Sequence, residues 1–166
     1  KRITTKTMIN LPPFVIFFLA AAFVAFLPHR IGKTVSVATP LIGVIMLLGM
    51  TAGSTIELSI MQLSLTPLRV DRLSLLFGYL FHIAAFIGVI FSLHLRDRTQ
   101  GSTSLLYAGS ALGVVFAGDF LSLFFFWEAL ALTSVFLIFA RKTERARLAG
   151  FRYLIGQLLS GVLLLA

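Results

Sequence analysis

Six stretches of nearly uninterrupted apolar side chains divide this sequence, each bounded by short polar or basic segments. A hydrocarbon layer about 30 Å thick is crossed by about 20 apolar helical residues. The stretches at 11–27, 35–52, 73–95, 103–117, 119–140 and 150–166 therefore predict six membrane-spanning helices. Pro12 and Pro13 suit the first turn of the first helix, where the missing amide hydrogen is not needed, and Pro28-His29-Arg30 ends it. Pro40 falls near the start of the second. From Thr103 to Ala140 the only charges are Asp119 and Glu128. As one helix that run would reach about 57 Å, nearly twice the hydrocarbon thickness, so it must double back. Ala117-Gly118-Asp119 supplies the break, because glycine can end one helix and aspartate can cap the next.

Between the second and third stretches the period changes. In TIELSIMQLSLT, Ile56, Leu58 and Ile60 alternate with Glu57 and Ser59; after a one-residue slip, Met61, Leu63 and Leu65 alternate with Gln62 and Ser64. A period of two predicts a short strand or hairpin at the membrane surface, with the slip as its turn or bulge. The predicted fold class is thus an all-α transmembrane bundle of about six helices with a surface hairpin between spans two and three. Residues 1–10 read as an amino-terminal extension, with Met8 as a candidate natural start, and 11–166 as a single transmembrane domain.

Composition sharpens this picture. The 166 residues are 58% hydrophobic and 12% charged, against about 45–50% and 25% in soluble domains, and six spans leave no room for a soluble domain. The net charge of +8 is concentrated in short segments beside apolar runs, where the lipid bilayer rather than nucleic acid is the nearest anionic partner. The absence of cysteine excludes disulfides and thiolate metal sites. No cofactor motif and no metal cluster is evident. Connections after spans one, three and five carry Arg30, Lys33, Arg96, Arg98, Arg141, Lys142, Arg145 and Arg147, more than the opposite side. The positive-inside rule then places them in the cytoplasm and the amino terminus in the periplasm of a bacterial inner membrane.

Glu128 is the residue that needs explaining. It lies near the middle of span five, where insertion scales assign an acidic side chain a cost of about 2.5–3.5 kcal/mol. A carboxyl balanced between desolvation and a nearby cation takes up and releases protons near neutral pH, which a proton relay requires. The competing reading is a helix–helix hydrogen bond. Arg152, early in span six, is a candidate charge partner or snorkels to headgroups, and His82, mid-span, is a candidate relay or a packing group. Gly118 and Asp119 are read as helix cap and turn.

Three segments, PLRVDRLSLLF at 67–77, AGDFLSLFFFWEALALTSVFLI at 117–138 and the Arg152-Tyr153 pair within AGFRYLIGQLLSGVLLLA, carry a family resemblance. The sequence resembles the amino-terminal part of the antiporter-like membrane subunits of Mrp-type cation/proton antiporters, especially their D component, and of proton-pumping complex I. The resemblance extends over nearly the whole chain from Leu11. It implies that Glu128 occupies the position of a glutamate implicated in proton transfer, which in the family works with a lysine on span seven. It further implies other membrane protein subunits as partners and protons and sodium as transported ions. Arg152 stands where many relatives have lysine; it keeps the charge but almost never deprotonates, so it would tune Glu128 rather than relay. The alternative function is a non-translocating structural subunit of an energy-converting complex.

Overall fold

A computed structural model describes residues 11–60, 63–94 and 97–166. Six helices and one hairpin follow in the order α1 (Pro13–Phe26), α2 (His29–Leu48), β1 (Thr55–Ile60), β2 (Leu63–Arg69), α3 (Arg72–Ser92), α4 (Arg98–Phe116), α5 (Phe120–Phe139) and α6 (Glu144–Leu165). This is the all-α architecture with a surface hairpin that hydrophobic periodicity predicts. By length and composition, α2, α3 and α5 suffice to cross a membrane. α1 is apolar but has only 14 residues, while α4 and α6 begin with polar turns that dilute their apolar runs.

Capping explains where the helices differ from the apolar stretches. α2 starts at His29, six residues before the apolar run, because Pro28 sets the helix entry and His29–Lys33 continue without a breaker. Pro40 consequently lies inside the helix rather than near its start. Asp97 caps α4 by accepting the Thr99 amide at 3.0 Å, and Thr143 caps α6 by accepting the Ala146 amide at 3.2 Å, so both begin ahead of their apolar residues. A capping box starts α3: Ser74 donates its amide to Asp71 at 2.7 Å, and Asp71 donates its own to the Ser74 hydroxyl at 2.8 Å. The first ten residues, and Arg96 at the foreseen close of span three, lie outside the described residues.

The core forms where α1 crosses α4. Phe14, Phe17, Ala21 and Val24 make one face of α1, and Leu105, Leu112 and Phe116 the facing side of α4. They approach closely because Gly109 gives way to Phe17 and to the Phe14 carbonyl. Phe126 of α5 lies over Gly113 and meets Phe14 edge-on at 4.9 Å between ring centroids. α2 buries small and polar residues, Gly32, Ser36, Thr39 and Gly43, and turns Ile42, Ile45 and Leu48 outward. That inversion suits a lipid-facing helix, in which close backbone approach rather than water exclusion drives packing. Ser36 and Thr39 donate back to the carbonyls of Gly32 and Val35 at 2.9 and 2.7 Å, leaving neither hydroxyl unsatisfied. α6 packs on α5, and its remaining faces are largely exposed.

The hairpin closes one end of the bundle with Leu68 and Val70, both buried in the core. Its strands are antiparallel, pairing Ile56 with Leu68 and Leu58 with Leu65. Between these pairs β1 advances two residues and β2 three, so the bulge falls at Thr66-Pro67, opposite Glu57. The sequence slip, by contrast, falls at the strand connection, and its Met61 and Gln62 lie outside the described residues. Proline lacks an amide hydrogen, which accounts for the ladder breaking where it does.

Candidate functional site

Helices α5 and α6 run antiparallel, and two small residues of α6 set their spacing. Gly150 seats the Phe139 ring, and Gly161 seats the Glu128 carboxyl, where a Cβ would overlap Oε1. Between these points the Tyr153 hydroxyl accepts from Gln157 Nε2 at 2.8 Å and bonds the Ser134 hydroxyl at 3.0 Å. Glu128 is the ninth residue of α5, about 12 Å along a helix about 30 Å long. It is half-buried as a residue, yet its Oε1 is shielded from solvent and has no hydrogen-bond partner among the described residues. The indole Nε1 of Trp127, the preceding residue, is in the same condition. A buried carboxyl oxygen and a buried donor without partners are costly, about 1–3 kcal/mol each, and mark positions where a proton, water or neighbouring chain supplies the missing contact.

Arg152 does not meet Glu128. It precedes Gly161 by nine residues, two and a half turns, which puts it on the opposite side of α6 and about 13 Å away along the axis. Arg152 is exposed, and among the described residues it makes no ion pair.

His82 belongs to a different part of the molecule. Its ring is fully buried, packed on Gly43 and edge-on to Phe17 at 5.4 Å between centroids. Nδ1 lies 2.6 Å from the Gly78 carbonyl, which can only accept, so Nδ1 carries the proton and Nε2 is left as a buried acceptor without a partner among the described residues. The surroundings named here, glycine, phenylalanine and backbone, contain no carboxylate. Among the described residues no group of three histidine or acidic side chains is arranged to hold a metal ion.

Asp119 caps α5, accepting the Ser122 amide at 2.8 Å and the Ser122 hydroxyl at 2.5 Å. It also accepts the amide of Thr66 at 2.5 Å, and the Gly118 amide donates to the Thr66 carbonyl at 2.8 Å. The bulge in β2 frees both backbone groups of Thr66 for this turn. Gly118 permits the approach, since a Cβ there would lie 2.6 Å from Thr66 Cγ2. Burial alone would raise the Asp119 pKa, but the bonds from Ser122, Thr66 and Leu121 together outweigh it and hold the carboxyl below its ordinary value.

At the other end Lys142, at φ 53°, reaches across to Asp97 at 3.1 Å and ties the α5–α6 loop to the start of α4. The hydrogen bond from Lys142, helped by the Thr99 amide, lowers the Asp97 pKa. A carboxyl depressed on folding contributes stability above its unfolded pKa, about 3.9, that is lost as pH falls through the folded value. Acid titration in detergent should therefore loosen this end below about pH 4, and Lys142→Ala should remove that part of the pH dependence. An unchanged profile in the variant would dismiss the tie.

Sequence reasoning did not find Gly161 as the seat of Glu128, nor Thr66 as the partner of the α4–α5 turn. Only the small size of Gly161 and the position of Pro67 pointed to them. Fold and site together define an all-α, multi-pass membrane protein with one carboxyl set into a helix interface. No protein-family model and no curated protein matches the chain. Among solved structures it is similar to a chain in the structure of the membrane-bound sulfane sulfur reductase (MBS), an archaeal respiratory membrane complex. The TM-score is 0.75 and the identity 23%, over 88% of this chain and 25% of that one. This chain thus spans about a quarter of the length of the chain it matches, and the likeness is one of fold.

Proposed function

We propose that this chain is an antiporter-like membrane subunit of an energy-converting complex, in which Glu128 takes up and releases a proton during cation/proton translocation. The observation that carries the reading is the Glu128 carboxyl: mid-helix in α5, seated on Gly161, with a shielded oxygen that no group among the described residues engages. A helix–helix hydrogen bond, the mark of a purely structural subunit, would give that oxygen a partner from α6. The fold likeness to a chain of a respiratory membrane complex supports membership of such an assembly. Arg152, facing away from Glu128, is a group for a neighbouring helix rather than a charge partner within this chain, and His82 is a packing group. Protons and sodium are the ions the reading implicates.

Proton uptake by vesicles containing the assembled complex provides the test. Glu128→Gln keeps the shape and removes the titrating group, so flux should fall to background while the complex stays assembled. Undiminished flux in that variant would leave Glu128 with a packing role and favour the structural subunit.

A further inference from the structure

The ends of α1, α2, α3 and α4 surround a small open pocket of about 40 Å³ on the side of the bundle that carries most loop cations. That is far below the roughly 300–1,000 Å³ of drug-sized ligand sites, so the pocket suits a single headgroup phosphate at its mouth rather than a whole ligand. Gly32 and Ser36 of α2 and Gly101 of α4 keep it open, and Val24, Leu27, Val89 and Leu93 give it an apolar wall. Lys33 and Arg98 stand among its polar lining. Lys33 is half-buried, and neither cation forms an ion pair among the described residues. The carboxylate in the lining, Asp97, is compensated by Lys142 at 3.1 Å, so it does not cancel them. α2 opens into the same pocket, and its N-cap Pro28 supplies no side chain to the first-turn amides, leaving the positive end of the helix dipole uncapped.

Two uncompensated cations, an uncapped helix start and an apolar wall coincide at the level where helix ends meet lipid headgroups. We propose that this pocket binds the phosphate of an anionic phospholipid, with Lys33 and Arg98 as its ligating cations and the apolar wall against the lipid's glycerol and upper acyl chain. Phosphate is the chemistry recognised; the wall favours a lipid over the free ion as its source.

The experiment places the full chain in nanodiscs of mixed phosphatidylglycerol and phosphatidylcholine and counts the lipids retained by native mass spectrometry. The Lys33→Gln/Arg98→Gln double variant should retain phosphatidylglycerol about tenfold less than the unaltered chain. Arg141→Gln, a loop cation outside the pocket, should retain it fully. Lys33→Arg/Arg98→Lys should bind like the unaltered chain, which separates loss of charge from loss of fold. Equal retention in the double glutamine variant overturns the proposal. An equal loss in Arg141→Gln also overturns it, since attraction would then be diffuse. Displacement of the lipid by millimolar inorganic phosphate would overturn the lipid as the source.

Discussion

Gly113→Leu should unfold the α4–α5 pair more readily than any other single change along that interface. The Phe126 ring lies directly on Gly113, and a Cβ there already overlaps three ring atoms. The ring cannot swing aside freely, because it also packs against Phe14 in a T-shaped contact at 4.9 Å between centroids. Overpacking a fitted core costs about 1–3 kcal/mol, and a leucine in this seat belongs at the upper end. Equilibrium unfolding in mixed micelles reads the effect. Phe126→Ala alone should also destabilise, by opening a cavity. Combined with Gly113→Leu it should recover part of the loss, because the leucine then fills the vacated space. Simple additivity in that double-mutant cycle would show that the two positions do not share one volume.

The second large effect is expected at the turn that joins the same two helices. Asp119→Ala removes the cap of α5, worth about 0.5–2 kcal/mol, and strips the Thr66 amide of its acceptor. Asp119→Asn keeps one acceptor oxygen, enough to cap Ser122 and retain part of the stability, but sets an NH2 group against the Thr66 amide, because the two amides donate to different carboxylate oxygens. Amide hydrogen exchange at Thr66 is the decisive readout. It should accelerate strongly in both variants, since neither the alanine nor the capping asparagine leaves Thr66 an acceptor. If Thr66 exchanges in both variants as slowly as in the unaltered chain, the hairpin is held by Leu68 and Val70 in the core and not by the turn.

Much of the fold was legible in the sequence because membrane spans announce themselves by uninterrupted apolarity, and the hairpin by its period of two. Helix starts were less legible. Asp97, Pro28 and Thr143 begin helices several residues before the apolar runs, since capping is local chemistry that hydropathy does not register. The bulge was misplaced for a related reason: alternation reports which way side chains point, whereas the ladder breaks where a backbone amide is missing, at Pro67. Of the site, Glu128 stood out as a lone mid-span charge. Its seat did not, because Gly161 lies 33 positions further along the chain and a glycine in a membrane helix is too common to single out. Arg152 looked like a partner from its place in span six; helical phase, counted from Gly161, turns it to the other side.

The bulge at Thr66 also orders events in time. Residues 55–69 leave the ribosome before Gly118 and Asp119 exist, so the exposed amide and carbonyl of Thr66 must be hydrated until the α4–α5 turn arrives. The late turn then displaces that water and latches a hairpin made earlier, so the last step in closing this end of the bundle waits on the insertion of the fourth and fifth helices as a pair.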